Sequence, residues 1–222
     1  MCVIDRICKK KVVTCERKSE CLQIHLKVFE LIKLLKSLLL FLMIAGLFAC
    51  ARMDDKTAVT FIGDSLIARW DVENSFPICE ISNIGLMGSG VEWIEQNRGL
   101  FSEVNVVALT GTNDLMRLDK TNLESYASRY VEAMIGLNAR RLILVSILPR
   151  NNESDAQNIN QLISELNQMI AEKIKEEKAI AYCDVFPAFL KNGTLNMNLS
   201  YDGIHLNQYG YEILAKKIKS LL

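Results

Sequence analysis

Histidine is nearly absent from this chain, whose 222 residues include only His25 and His205. Cysteine is not grouped in a metal-binding pattern either: four of the seven cysteines fall within the first 21 residues, and Cys50, Cys79 and Cys183 are far apart. Structural zinc sites need clustered cysteine and histidine ligands at short spacings. The sequence therefore predicts no metal centre and no other cofactor.

Cys79 and Cys183 each lie in a short apolar run. A free cysteine behaves as a small hydrophobic residue, so buried free thiols are the simpler interpretation. A disulfide between the two in an oxidising compartment is the alternative, which the sequence leaves open.

The chain has no surplus of positive charge, because 26 Lys and Arg balance 26 Asp and Glu. The first 49 residues hold nine of the basic and four of the acidic residues, which leaves 17 basic and 22 acidic residues and a net charge of −5 beyond them. A mildly acidic domain is a poor match for nucleic-acid phosphates, so no nucleic-acid partner is predicted. The G-x-G-x-x-G fingerprint of dinucleotide-binding domains is also absent after the first apolar run of this domain.

An uncharged apolar run at residues 37–49 follows three lysines. It is shorter than the ~20 residues of a membrane-spanning helix and has the length of a signal-peptide core. The run ends in L-F-A-C at Cys50, which resembles a bacterial lipobox with Phe48 in place of the usual small residue. The sequence predicts that residues 1–49 are an N-terminal extension with a signal peptide, and that lipid on Cys50 tethers an exported bacterial lipoprotein to a membrane, on the periplasmic or cell-surface side. An uncleaved anchor or a buried helix is the alternative for this run.

Beyond Cys50, short apolar runs alternate with longer stretches of helical periodicity, and residues 50–222 are predicted to form one domain. The runs do not alternate with polar residues, which is typical of strands covered on both faces. The predicted strands are 58–62, 78–82, 104–109, 141–148 and 179–185, and the clearest helices are 123–137, 159–178 and 208–221, the last capped by Asn207. This order predicts an α/β fold with a parallel sheet between two layers of helices.

Ligands of such sheets bind beyond the carboxyl ends of the strands. Ser65 follows the first predicted strand in the turn G-D-S, Gly85 follows the second, and Asn113 follows the third. Each is ambiguous alone: Ser65 suits a helix cap, Gly85 an ordinary turn, and Asn113 a turn-stabilising amide. Each also suits catalysis, as a nucleophile, a closely approaching N–H donor and an amide donor to developing charge.

A serine nucleophile needs a base, and histidine is the usual one because it titrates near neutrality. His25 lies in the N-terminal extension, so His205 is the one imidazole available to the domain. Asp202 precedes it by three residues and is close enough in one loop to orient the ring. A metal half-site or a surface loop is the alternative interpretation of this D-x-x-H pattern. Asp64 and Asp114, which also adjoin the site, are predicted to anchor turns by accepting backbone hydrogen bonds.

The joint order of these motifs resembles the SGNH (GDSL-like) hydrolase family over residues 57–222. G-D-S-L at 63–66 matches the first block of that family, and D-x-x-H before the last helix matches its final block. S-I-L-P at 146–149 and N-x-x-I-x-x-L-N at 160–167 resemble the branch that includes platelet-activating-factor acetylhydrolase subunits and bacterial carbohydrate acetylesterases. The resemblance implies a three-layer α/β/α sandwich whose five-stranded parallel sheet has the flavodoxin-like order 2-1-3-4-5.

The resemblance also implies the site. Ser65 is expected to be the nucleophile, His205 its base and Asp202 the orienting acid, with an oxyanion hole formed by the N–H groups of Ser65 and Gly85 and the side-chain amide of Asn113. The expected activity is hydrolysis of short-chain acyl esters, above all acetyl esters of carbohydrates, so an acetylated glycan is the expected partner. A lysophospholipase or thioesterase with the same triad and a non-catalytic, surface-tethered binding protein are the alternatives.

Overall fold

A computed structural model describes residues 33–38 and 56–222 of the chain. The chain divides into two units after Asp55, and each is described by itself. In the first unit, residues 33–38 are helical and exposed. Most of the predicted signal peptide and the lipobox Cys50 lie outside the described residues, so the signal peptide, the tether and the boundary at residue 50 stay predictions. None of the helices in the described parts is long and apolar enough to cross a membrane.

The second unit is built on a five-stranded sheet in which every neighbouring pair is parallel. Its spatial order is β2-β1-β3-β4-β5, which confirms the predicted topology. The strands are β1 (Thr57–Gly63), β2 (Cys79–Gly85), β3 (Asn105–Leu109), β4 (Arg141–Val145) and β5 (Ile180–Cys183).

Helices cover both faces of this sheet. They are α1 (Ser65–Ala68), α2 (Val72–Ser75), α3 (Val91–Gln96), α4 (Leu123–Gly136), α5 (Ile159–Lys173), α6 (Phe186–Phe189) and α7 (Gln208–Lys219). Short 3₁₀ turns at Leu115–Arg117 and Met197–Leu199 and a small antiparallel hairpin of β6 (Leu190–Lys191) and β7 (Thr194–Leu195) complete the chain of elements.

Successive residues of a strand point to opposite faces, and β3 shows how this creates two cores. Val106 and Ala108 pack in one apolar cluster with residues of α3, α4 and α5. Val107 and Leu109 pack in a second cluster with residues of α1, α2, α6 and α7. The three-layer α/β/α arrangement therefore follows from central strands that are apolar on both faces.

The ends of several predicted elements differ from those observed, as in β4, which ends at Val145 rather than at residue 148, and two differences have a clear physical reason. Strand β2 was predicted to be covered on both faces, but it pairs only with β1 and carries exposed residues such as Ser82, because it is an edge of the sheet. Helix α5 ends at Lys173, with Ile174 as its C-cap, rather than at residue 178. The four residues that follow Ile174 are all charged and exposed, so they offer no apolar face that would hold a further turn on the sheet.

The positions of Cys79 and Cys183 decide between the thiol and disulfide interpretations. Cys79 lies in β2 and Cys183 in β5, at opposite edges of the sheet. Four strand spacings separate them by about 19 Å, whereas a disulfide requires α-carbons less than about 7 Å apart. Both cysteines are free, and the disulfide alternative is excluded.

Candidate active site

Ser65 is held at the junction of β1 and α1. Asp64 caps α1, because its Oδ1 atom accepts the Leu66 N–H at 2.9 Å. Gly63 allows β1 to approach β3 closely, since a Cβ atom there would lie 1.9 Å from the Leu109 carbonyl oxygen. Ser65 is the first residue of α1, so its N–H has no acceptor within the helix, and the residue is only 4% exposed.

The serine and the imidazole, 140 residues apart in the chain, meet in the fold. The Ser65 Oγ atom lies 3.0 Å from Nε2 of His205. The other ring nitrogen, Nδ1, lies 2.7 Å from Oδ2 of Asp202. The three predicted side chains therefore form a continuous hydrogen-bonded relay from hydroxyl to carboxylate, the geometry in which an imidazole can take a proton from a serine.

The loop that carries Asp202 and His205 is closed by its own polar groups. The Asp202 Oδ1 atom accepts the backbone N–H groups of Ile204 at 3.0 Å and His205 at 2.7 Å. The Ser200 hydroxyl donates to the His205 carbonyl at 2.7 Å and accepts the Gly203 N–H at 2.9 Å. One carboxylate oxygen of Asp202 thus builds the turn, and the other faces the ring.

These hydrogen bonds also determine the charge of Asp202. Partial burial opposes ionisation, but hydrogen bonds from the His205 side chain and from the backbone N–H groups of His205 and Ile204 outweigh it and lower the pKa of Asp202 to about 2. The carboxylate is therefore ionised throughout the neutral range.

Asn113 reaches the site from the loop after β3. Its Nδ2 atom donates to the Ser89 carbonyl at 2.7 Å, which fixes the plane of the amide. A primary amide carries two N–H bonds, so the second remains for a substrate oxygen. The adjacent Asp114 holds the start of α3, because its Oδ2 atom accepts the Val91 N–H at 2.9 Å and the Tyr126 hydroxyl at 2.6 Å. Asp114 thus anchors a turn, as predicted for it.

Gly85 is placed differently from the other two predicted donors. Its single N–H donates to Oδ1 of Asn83 at 3.0 Å, and Nδ2 of Asn83 donates to the Ile67 carbonyl at 3.0 Å. The Gly85 N–H can therefore bind a substrate oxygen only by sharing its hydrogen or by leaving Asn83. The glycine itself is required, because a Cβ atom there would lie 2.4 Å from the Ala68 nitrogen.

Two asparagines that fix the backbone after β4 had no role predicted from the sequence. Asn167 brackets Ile147 with hydrogen bonds of 2.9 Å to its N–H and its carbonyl. Asn160 brackets Arg150 in the same way at 2.7 and 2.8 Å. The signal was present in the motif N-x-x-I-x-x-L-N, since residues seven apart lie on one face of α5.

An open cleft of about 860 Å³ adjoins His205. Its lining is mostly polar and aromatic and includes Arg69, Trp70, Tyr201, Asn207 and Tyr211. The rings of Trp70 and Tyr211 stack at a centroid distance of 5.2 Å, and the Tyr211 hydroxyl donates to the Leu66 carbonyl at 2.8 Å. Helix α7 is in this way joined to the helix that carries Ser65.

A second cleft has a volume of about 580 Å³, and its lining includes Leu115, two residues after Asn113. Its apolar lining residues are Leu115, Met116, Leu118, Ala156, Ile159 and Leu162. Across residues 33–38 and 56–222, no three histidine, cysteine or carboxylate side chains are grouped so that they could hold a metal ion.

Asp64 is the one fully buried carboxyl beside Ser65. Burial raises the pKa of Asp64 to about 7, although the backbone N–H groups of Leu66 and Thr112 lower it and the nearby Asp114 raises it further. A carboxyl whose pKa is raised in the folded state binds more protons than in the unfolded state, so its contribution to stability falls as pH rises between the two pKa values.

Comparison with known proteins matches this arrangement to a family. Residues 61–213 match the model of the GDSL-like lipase/acylhydrolase family, which is more than half of the chain. The match confirms the resemblance inferred from the motifs.

Two curated relatives differ in how much of them the chain covers. The N-acylneuraminate cytidylyltransferase of Escherichia coli O18:K1:H7 is 30% identical over 180 residues, which are 76% of this chain and 41% of that protein. The chain thus spans about two fifths of the length of this relative. The human platelet-activating factor acetylhydrolase IB subunit alpha1 is 24% identical over 193 residues, 79% of either protein.

Solved structures share the fold at lower identity. A GDSL-like lipase from Bacteroides thetaiotaomicron is 22% identical with a TM-score of 0.63, over 74% of this chain and 87% of that one. An acetylxylan esterase from Geobacillus stearothermophilus is 19% identical with a TM-score of 0.54, over 76% of this chain and 95% of that one.

The buried Asp64 predicts a pH-dependent stability. The pKa of Asp64 is 3.8 in the unfolded chain and about 7 in the fold. As pH rises through this window, the cost of ionising the buried carboxyl lowers the free energy of unfolding by up to about 4 kcal/mol. In Asp64→Asn the amide oxygen still accepts the Leu66 N–H, but this titration is gone. Urea denaturation should show the variant gaining stability relative to wild type between pH 4 and pH 8.

Asp71→Asn is the matched control, because Asp71 caps α2 by accepting the Asn74 N–H at 3.3 Å on the exposed surface. A constant difference between Asp64→Asn and wild type over the whole pH range would contradict the raised pKa.

Proposed function

Because the chain belongs to the GDSL-like lipase/acylhydrolase family of carboxylic ester hydrolases, we propose that it is a serine esterase that removes short acyl groups, above all acetyl, from carbohydrates. The observation that carries this proposal is the relay of 3.0 and 2.7 Å bonds from Ser65 through His205 to Asp202. A non-catalytic binding protein would have no use for such a relay beside two further hydrogen-bond donors.

The proposed reaction has two steps. Ser65 attacks the acyl carbonyl while His205 takes the hydroxyl proton, and the ionised Asp202 stabilises the imidazolium. The N–H of Ser65 and the free N–H bond of the Asn113 amide bind the oxyanion of the tetrahedral intermediate, joined by the Gly85 N–H when it turns from Asn83. His205 then protonates the leaving alcohol, and water repeats the sequence on the acyl-enzyme.

The cleft beside His205 supports a carbohydrate leaving group. His205 returns the proton to the leaving oxygen, so the leaving group must lie within reach of the imidazole. His205 is one of the residues that line the cleft of about 860 Å³, together with polar groups such as Arg69 and Asn207 and the exposed ring of Tyr201, and we assign the leaving group to this cleft. Sugars bind to surfaces that combine hydrogen-bonding groups with aromatic faces, whereas a lipid would favour an apolar lining.

Two features support a small acyl group. The nucleophile is almost fully buried, and the loops at 149–157 and 191–201 are too short to form a lid over a long chain. The names of two similar proteins also contain this chemistry, since one is an acetylhydrolase and the other an acetylxylan esterase.

The alternative substrate is a lipid or thioester with a longer acyl chain. The second cleft favours it, because six apolar residues line it and one of them, Leu115, is two residues from Asn113. Met116 in this cleft is 62% exposed, and Leu86 and Met87 beside Gly85 are 45% and 52% exposed. The same triad would act on either substrate, so the acyl chain length decides between them.

We further propose that the protein is exported and tethered to a bacterial membrane by lipid on Cys50. The support is the apolar run behind three lysines and the lipobox-like L-F-A-C that ends at this cysteine.

Asn113→Ala tests the oxyanion hole. Loss of one oxyanion donor typically lowers kcat by about 100- to 1000-fold, and we expect that loss for p-nitrophenyl acetate with little change in the unfolding midpoint. Asn122→Ala is the matched control, since that amide also donates to a carbonyl, Arg117 O at 2.9 Å, and is not part of the triad or of the proposed oxyanion hole. Wild-type kcat in Asn113→Ala would contradict the proposed role, and wild-type kcat in Ser65→Ala would contradict the whole mechanism.

A chain-length series tests the substrate class. We expect kcat/KM for p-nitrophenyl esters to be highest for acetyl and to fall steeply with each added carbon pair, and acetate to be released from acetylated xylan. A maximum at eight carbons or more would instead support the lipolytic alternative and assign the apolar cleft to the acyl chain.

Cys50→Ala tests the tether in a bacterial host that expresses the full chain. The wild type is expected in the membrane fraction with a lipid-modified Cys50 at its processed end, and the variant in the soluble exported fraction, as measured by fractionation and mass spectrometry. Cys79→Ala is the control for loss of a thiol. A variant that stays in the membrane would indicate an uncleaved anchor.

A further inference from the structure

Arg150 is a buried charged residue whose role the family motifs do not specify. It follows β4 and is only 6% exposed. Its Nη2 atom forms an ion pair of 2.7 Å with Asp155, and both side chains are less than a tenth exposed. A buried pair of this kind often adds little net stability compared with apolar residues of the same size, so its geometry is the more promising explanation for its presence.

One end of this pair contacts the segment that carries Asn113. The Nη1 atom of Arg150 donates to the Thr112 carbonyl at 3.0 Å. Thr112 is 3% exposed and immediately precedes Asn113, whose amide donates to Ser89 on the other side. The guanidinium therefore holds the peptide from which the proposed oxyanion donor extends.

The other end contacts the loop of the acid and the base. Oδ2 of Asp155 accepts the Asn152 N–H at 2.8 Å, and Nδ2 of Asn152 donates to the Asp202 carbonyl at 3.1 Å. The neighbouring Asn151 N–H donates to the Gly203 carbonyl at 2.8 Å. A Cβ atom at Gly203 would lie 1.9 Å from the Asn151 carbonyl oxygen, so the two loops are in direct contact.

The backbone of Arg150 is itself fixed. Asn160 on α5 accepts its N–H at 2.7 Å and donates to its carbonyl at 2.8 Å. The side chain therefore extends from a backbone held by two hydrogen bonds to two segments whose distance from one another matters for the proposed reaction. The delocalised charge of the guanidinium lies beside the Asp155 carboxylate while its Nη1 donates to a carbonyl, which the compact ammonium of a lysine does poorly.

We propose that Arg150 and Asp155 form a positioning pair that fixes the amide of Asn113 relative to the loop of Asp202 and His205. The proposal rests on the catalytic roles proposed above for those residues. The pair touches no reacting atom. It acts by keeping the Asn113 amide and the His205 imidazole at the distance that the bound acyl group requires.

The test uses the paired variant Arg150→Met/Asp155→Asn of the full chain, which removes both charges and leaves neither buried alone. We expect kcat for p-nitrophenyl acetate, per active site titrated to completion with a fluorophosphonate, to fall about 100-fold, with KM nearly unchanged. Displacement of catalytic groups by about 1 Å typically costs this factor.

The matched control is Arg129→Met/Glu95→Gln, which removes a surface ion pair with two hydrogen bonds of 2.8 and 2.7 Å. We expect this control to keep the wild-type kcat. A paired Arg150 variant that melts at a lower temperature but keeps the wild-type kcat per titrated site would show that the pair is only structural, and would overturn the proposal.

A second measurement combines the paired variant with Asn113→Ala. If the pair acts through Asn113, its effect on kcat should shrink well below the loss seen in the wild-type background, because coupled residues are not additive. An equal loss in both backgrounds would overturn the route through Asn113.

If the paired variant does not fold, Arg150→Lys is the substitute, because it keeps the positive charge and removes the planar guanidinium. A wild-type kcat in Arg150→Lys would equally overturn the proposal. Ser65→Ala distinguishes failure of the proposed esterase function from failure of the positioning pair. Wild-type hydrolysis in Ser65→Ala would contradict the esterase function itself.

Discussion

The parallel pairing of β1 with both β2 and β3 is the constraint on which the site depends. Gly63, at the end of β1, lies opposite Gly85 on one side and Leu109 on the other. Because neighbouring strands are about 4.8 Å apart, the residues that follow these three strands share one small area at the carboxyl edge of the sheet. Ser65 and Asn113 extend into that area, and the remaining loops are arranged around it.

Most strands and helices could be predicted from the sequence because the patterns that indicate them are local. Apolar runs predicted all five strands, and helical spacing predicted α4, α5 and α7, with Asn207 capping α7 through the Gly210 N–H at 3.1 Å. The scarcity of histidine made His205 the single candidate base of the domain. The family resemblance then supplied the strand order, which the structure confirms and which no local pattern could establish.

The features that were missed are those in which polar side chains bond to distant backbone. Arg150 and Thr112 are 38 residues apart, and Asn152 and Asp202 are 50 apart. Nothing in the composition of either segment reveals such a partner. The hydrogen bond from Gly85 to Asn83 was missed for another reason: the two residues are close in sequence, but the direction of a backbone N–H depends on how the edge strand leaves the sheet.

The depth of Ser65, which is 4% exposed, limits which carbonyls can reach it. An ester carbonyl on a flexible linkage reaches a recessed hydroxyl more easily than a carbonyl held within a bulky, rigid group. For the acetyl-ester hydrolase proposed above, the low exposure of Ser65 would therefore select substrates by the size of the groups around the carbonyl.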